Sequence, residues 1–136
     1  MRVVLDTNVL VSAFVSPNGE ARKVLNLWLN KRYDLVTSEI QIEELRRVSR
    51  YPRVKKKINS AQMGSIINAI RQKALIIENL PELDISPDPD DNFILAAGVA
   101  GKANYIVSGD RQDVLTLGSI QGIPILSVSV FVKLFK

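Results

Sequence analysis

Apolar residues along this chain alternate between two periods. "RVVL" (residues 2–5) is a short β-branched run, the look of a strand buried on both faces of a parallel sheet. "DLVTS" (34–38), "ANYIVSGD" (103–110) and "GIPILSV" (122–128) read as further strands, and Pro124 in the last suggests a sheet edge. Between them the apolar spacing turns helical. "NVLVSAF" follows the first strand, "SPNG" punctuates, and "EARKVLNLWLNKRY" then places Val24, Leu25, Trp28 and Leu29 on one stripe. Ser38 with Gln41 forms a capping box that opens "EIQIEELRRV", which carries Ile40, Glu44, Leu45 and Val48 along neighbouring faces. Pro52 breaks that helix. Asn59 with Gln62 opens another, in which Met63, Ile66, Ile67 and Ile70 recur at i, i+3, i+4 and i+7. "KALIIENL" reads as either a short strand or a helix tail, and "PELDISPDPDDN" as a loop. "FILAAGVAG" predicts a helix despite Gly98, "RQDVLTLG" a short helix closed by Gly118, and "SVFVKLF" a terminal helix.

Strands alternating with helices predict an α/β fold with a mainly parallel sheet. The 136 residues show no repeat, linker or low-complexity tract, so the expectation is one domain over 1–136.

Composition narrows the chemistry. The chain has no Cys and no His, which excludes a disulfide framework, a thiolate zinc site and an imidazole-based triad. Carboxylates remain as the natural metal ligands, and oxygen-only ligation favours hard cations such as Mg2+ or Mn2+. A formal net charge of +4 leans toward a polyanionic partner. No apolar run approaches the roughly 20 residues of a membrane span, and Asp6 interrupts the N-terminal run, so no membrane association and a cytoplasmic location are expected.

Asp6 is the only charge between Val3 and Phe14. An ionised carboxylate in apolar surroundings is costly unless it is paired or bound to a cation. It directly follows the first strand, and Asp110 follows "YIVSG" in the same way. Ligands of open α/β sheets sit at the carboxyl ends of strands, so neighbouring strands would bring these two acids together. Glu44 lies about two turns into the helix after the second strand, and Asp91 ends an acidic loop where a helix opens. Taken singly, each has a local explanation: strand termination or turn for Asp6 and Asp110, an N-cap for Asp91, an exposed helix position for Glu44. Together, four acids in one place would repel unless a cation or a raised pKa offset them. Asn8 in "DTN" and Ser108 in "VSGD" can hydrogen-bond such ligands from outside the first shell, or serve only as turn and cap residues.

"RRVSRYPRVKKK" gathers Arg46, Arg47, Arg50, Arg53, Lys55, Lys56 and Lys57, with Tyr51 among them. Such a run is either a solvated helix end or a surface for a nucleic-acid backbone, with Tyr51 available to stack on a base.

The pieces "VVLDTNVLVSAF", "TSEIQIEELRRV", "DPDDNFILAA" and "ANYIVSGD", followed by "GIPIL" and a final helix, resemble the PIN domain family, in particular its VapC-type toxin branch. The resemblance runs from Met1 to Lys136. It implies a three-layer α/β/α fold with four to five central strands, and a Mg2+- or Mn2+-dependent ribonuclease with an acidic quartet. Carried over by motif, the quartet is Asp6, Glu44, Asp91 and Asp110. Glu44 is preferred to Glu43 because it directly precedes a Leu, and Asp91 to Asp88 or Asp90 from its spacing to "ANYIVSGD". Asp113 corresponds to an accessory acid of some relatives, although "RQDVL" is one residue longer than the commoner form. The resemblance also implies an RNA substrate, a small antitoxin partner and a homodimer. Leu27 and Trp28 serve either that dimer surface or the core. Two other functions remain on the same scaffold: a non-catalytic RNA- or protein-binding module, and an RNA-processing nuclease with no toxin role. An aspartyl phosphatase would need a second acid where Asn8 stands, and a phospho-receiver an acidic pair before its Asp; neither is present.

Overall fold

The computed structural model describes residues 1–85, 89–109 and 117–135, with the side chains of 89 and 90 left aside. Among the described residues six strands form one sheet: β1 (Arg2–Leu5), β2 (Asp34–Ser38), β3 (Leu75–Ile77), β4 (Tyr105–Val107), β5 (Ser119–Ile120) and β6 (Ile123–Leu126). Their order is β3-β2-β1-β4-β6-β5, with every pairing parallel except β5 with β6. The helices are α1 (Thr7–Val15), α2 (Glu20–Leu29), α3 (Glu39–Ser49), α4 (Pro52–Lys55), α5 (Ser60–Lys73), α6 (Pro89–Ala100) and α7 (Val128–Lys133).

Strand periodicity builds the layers. Alternate side chains point to opposite faces, so Val3 and Leu5 join a core made with α1, α2, α3, α4, α5 and α7. Val4, Val36 and Ile106 point the other way and pack on Ile94, Leu95 and Ala97 of α6. Both faces are covered, which is why Val3, Val4 and Leu5 are apolar in succession rather than alternating with polar residues. The result is the three-layer α/β/α arrangement. Two glycines let α6 lie close to the sheet. A Cβ on Gly98 would stand 2.7 Å from Ile106 Cδ1, and one on Gly101 would stand 2.6 Å from Val36 Cγ1.

Several sequence expectations change in detail. Leu29 is 42% exposed: α2 ends there, and the buried stripe is Val24, Leu25 and Trp28. Trp28 is core, with Leu27 partly buried against it. "KALIIENL" resolves into strand β3, paired with β2 from Val36–Leu75 to Ser38–Ile77. The Asn59–Gln62 capping box forms in full, with bonds of 2.8 and 3.0 Å. At Ser38 only half of the box forms. Its hydroxyl accepts from Gln41 N at 3.2 Å, but the Gln41 side chain turns inward instead of back. Pro124 is one strand in from the edge because the two-residue β5 covers β6. The hairpin turns through Gln121 and Gly122, both with positive φ, as a primed turn requires. Pro124 loses no bond to β4, since that register begins only at Ile125. The extra strand also raises the count above the expected four to five. Most of the helix expected in "RQDVLTLG" lies outside the described residues.

Candidate active site

Asp6 stands where β1 gives way to α1. Its Oδ1 accepts from the backbone N–H of Val9 at 3.0 Å, the N-cap geometry that satisfies one of the free donors of a helix start. Its other oxygen faces β4. Because β1 pairs with β4 through Leu5–Val107, the residues that follow, Asp6 and Ser108, come side by side although 102 positions separate them. The Ser108 hydroxyl donates to Asp6 Oδ2 at 2.5 Å, and Gly109 N donates to the same oxygen at 3.3 Å. Asp6 is only 6% exposed, and no Lys or Arg pairs with it among the described residues. Burial therefore pushes its pKa above the ordinary 3.8, while the Ser108 hydroxyl and the N–H groups of Val9, Gly109 and Asn8 pull it back. Asn8 itself is exposed in the first turn of α1.

Glu44 and Glu43 have different surroundings. Ser38 caps α3 directly at the end of β2. The Glu44 side chain is 14% exposed and lies 3.6 Å from Arg47, whereas Glu43 is 63% exposed and pairs with Arg46 at 2.8 Å. Glu44 lines a shallow cleft of about 280 Å3 with Glu39, Ile40, Glu43, Arg47 and Phe93. Phe93 comes from α6, two residues after Asp91, so α6 faces the Glu44 side of α3 across this cleft. Asp91 is partly buried and is the third residue of α6, inside the first turn rather than its N-cap, where a carboxylate is favoured by the helix dipole.

The structure thus brings Asp6 together with Ser108 and Gly109, and Phe93 of α6 into one cleft with Glu44. Asp6, Glu44 and Asp91 do not by themselves make a metal-holding group, and none of three or more acids is found among the described residues. Asp110 follows Gly109 directly but, with Asp113 and Asp88, lies outside the described residues. The donor set around Asp6 nonetheless suits a hard cation. It is carboxylate oxygen oriented by neutral donors and, among the described residues, not paired with a cationic side chain. A Mg2+ ion commonly takes only one or two carboxylates directly and keeps several waters.

The basic segment forms a corner. Arg46 and Arg47 are engaged with Glu43 and Glu44 along α3. Arg50, Arg53, Lys55, Lys56 and Lys57 are exposed around α4 and have no ion pair among the described residues. Tyr51 is exposed among them. Arg50 and Lys55 line a cleft of about 360 Å3 together with Ile58, Met63, Asn59 and Ser60.

Sequence reasoning missed two contributors to this site. One is the backbone N–H of Gly109, which no side-chain pattern reveals. The other is Gln41, whose amide donates to the Leu5 carbonyl at 2.7 Å. Its spacing of four residues from apolar Leu45, on one face of α3, is the signal that marks it as inward-facing. Among the described residues no helix is long and apolar enough to cross a membrane.

Comparison with known proteins agrees with this architecture. Residues 2–112 match the profile described as PIN domain. The chain is 30% identical over 113 residues to the uncharacterised protein MJ1680 of Methanocaldococcus jannaschii, covering 82% of this chain and 72% of that protein. Its fold is similar to a chain in the crystal structure of VapBC2 from Rickettsia felis bound to a DNA fragment from their promoter. That match has a TM-score of 0.59 and 18% identity, over 93% of this chain and 98% of that one. By its sequence and its fold, this chain belongs to the PIN domain family.

Proposed function

We propose that this PIN domain is a Mg2+- or Mn2+-dependent ribonuclease, the toxin of a toxin–antitoxin pair acting in the cytoplasm. The observation that carries the reading is Asp6. It is a buried carboxylate at the carboxyl end of β1, with its pKa raised by burial, and among the described residues no cationic side chain pairs with it. It also sits between β1 and β4, where the strand order continues to β2 and β3 on one side and to β6 and β5 on the other, the kind of position at which α/β ligands bind.

Asp6, Asp91, Asp110 and Glu44 are the residues that would hold the cation. When bound, such an ion neutralises charge on the phosphoryl oxygens and acidifies an attacking water. Ser108 and the Gly109 N–H fix the orientation of the Asp6 carboxylate. With no His in the chain, a proton released from water passes to a carboxylate or to solvent. Arg50, Arg53, Lys55, Lys56 and Lys57 hold the RNA backbone, with Arg46 and Arg47 contributing less because they already face acids on α3. Asn8 and Asp113 assist at the rim of the site. The VapBC2 likeness supports a small antitoxin partner and a homodimer as the assembly of this chain.

Cleavage mapping on total RNA, with and without Mg2+ or Mn2+, tests the proposal. Wild-type protein is expected to cut at defined positions only when metal is present, and Asp6→Asn to lose cutting by at least a hundredfold while remaining folded. Cleavage by Asp6→Asn at the wild-type rate would rule the assignment out.

A further inference from the structure

Gln41 ties together the chain segments around Asp6. Its side chain is 3% exposed. Nε2 donates to the Leu5 carbonyl at 2.7 Å and to Thr7 Oγ1 at 3.4 Å, while Oε1 accepts from the Thr37 hydroxyl. Leu5 and Thr7 bracket Asp6, Thr37 lies near the end of β2, and Gln41 stands one helical turn before Glu44. Residues at i and i+3 share a helix face, so the face anchored by Gln41 is the face that carries Glu44.

We infer that Gln41 is a positioning residue that fixes α3, and Glu44 with it, against the Asp6 turn. This rests on the reading of Asp6 and Glu44 as parts of one cation site. The backbone ladder supplies such a link only part of the way. β1 pairs with β2 as far as Val4–Val36, but with β4 one residue further, to Leu5–Val107. At the level of Asp6 the β4 side is held by backbone and by Ser108, and the β2–α3 side by the Gln41 amide. The apolar contacts of Ile42 and Leu45 cannot replace it, because apolar packing has no directional preference. An amide is also the side chain that donates to a carbonyl and accepts from a hydroxyl at once. A carboxylate at this position has no donor for the Leu5 carbonyl, and an apolar residue has neither function.

The test is Gln41→Met, which keeps side-chain length and apolar packing but removes every donor. In metal-free protein, hydrogen exchange at the Val9 and Leu10 amides, both bonded to Asp6, is expected to quicken at least tenfold. The Ile106 and Val107 amides of β4 should stay at wild-type rates. Calorimetric titration with Mn2+ alone should show affinity about tenfold weaker, the lower end of what loss of an outer-shell partner costs. RNA cleavage should lose kcat by a similar factor with KM within twofold. Wild-type exchange at Val9 and Leu10 overturns the inference, and so does equal acceleration at all amides, which marks a general loss of stability. If Gln41→Met does not fold, Thr37→Val removes only the Oε1 partner, and the same local pattern is expected at about threefold; its absence is equally fatal. Should wild-type protein neither bind Mn2+ nor cut RNA, the nuclease reading fails, and the exchange measurement in metal-free protein alone decides whether the clamp exists.

Discussion

Burial and charge pull in opposite directions at Asp6, and the balance between them is measurable as a pH dependence. Because burial raises its pKa above 3.8, the folded state binds the Asp6 proton more tightly than the unfolded chain does. Its contribution is therefore present in full below about 3.8 and is lost as pH rises through the raised value. In chelator-treated protein, urea unfolding at several pH values should show wild type losing stability relative to Asp6→Asn as pH rises from 4 toward neutrality. A difference independent of pH would mean that Asp6 titrates as an exposed acid. Ser108→Ala works in the opposite sense to metal. It removes the hydroxyl that donates to Oδ2, pushes the Asp6 pKa further up, and should cost about 1.5–3 kcal/mol at neutral pH by denaturant unfolding.

At the scale of elements, sequence patterns locate most helices and strands, since capping, proline and apolar period act within a few residues. The short α4 and β5 escape them, and β3 fits strand and helix tail alike. Both Asn59 and Ser38 cap as their residue types require. What stayed hidden was where side chains go once elements pack. Gln41 fits a capping box equally well by sequence, yet tertiary partners in β1 and β2 outcompete the backbone N–H of Ser38. Likewise Glu43 and Glu44 are adjacent and chemically identical, and only the docking of α3 makes one 14% and the other 63% exposed. Gly98 and Gly101 look like blemishes in a helical run but mark the close approach of α6 to the sheet. Gly101→Ala should lose about 1–3 kcal/mol, because its Cβ would meet the stiff Val36 side chain at 2.6 Å and the Ala97 carbonyl at 3.0 Å. Gly98→Ala, facing the far end of Ile106 and gaining up to about 1 kcal/mol of helix propensity, should be nearly neutral. Thermal unfolding of the pair distinguishes the two.

At the scale of the whole molecule, the order β2-β1-β4 is what sets a carboxylate from residue 6 against a hydroxyl from residue 108. That adjacency was inferable only as a condition, because strand order is set by long-range pairing and not by local period. The same topology separates the charges: Asp6 stands at the carboxyl end of β1 and Asp91 at the start of α6, whereas the cations that make no ion pair among the described residues lie around α4, past the C-terminal end of α3. Charge reversal at Arg50, Lys55 and Lys56 should weaken single-stranded RNA binding and lower the salt dependence of log K by roughly 2, with an unchanged slope arguing that the RNA lies elsewhere. The most direct test of the account, however, is Mn2+ itself. Calorimetric titration into wild type should give saturable binding, with a thermal stabilisation near 2.7 kcal/mol at a hundredfold excess over Kd, and Asp6→Asn should abolish both. Binding of Mn2+ to Asp6→Asn with wild-type affinity would contradict it.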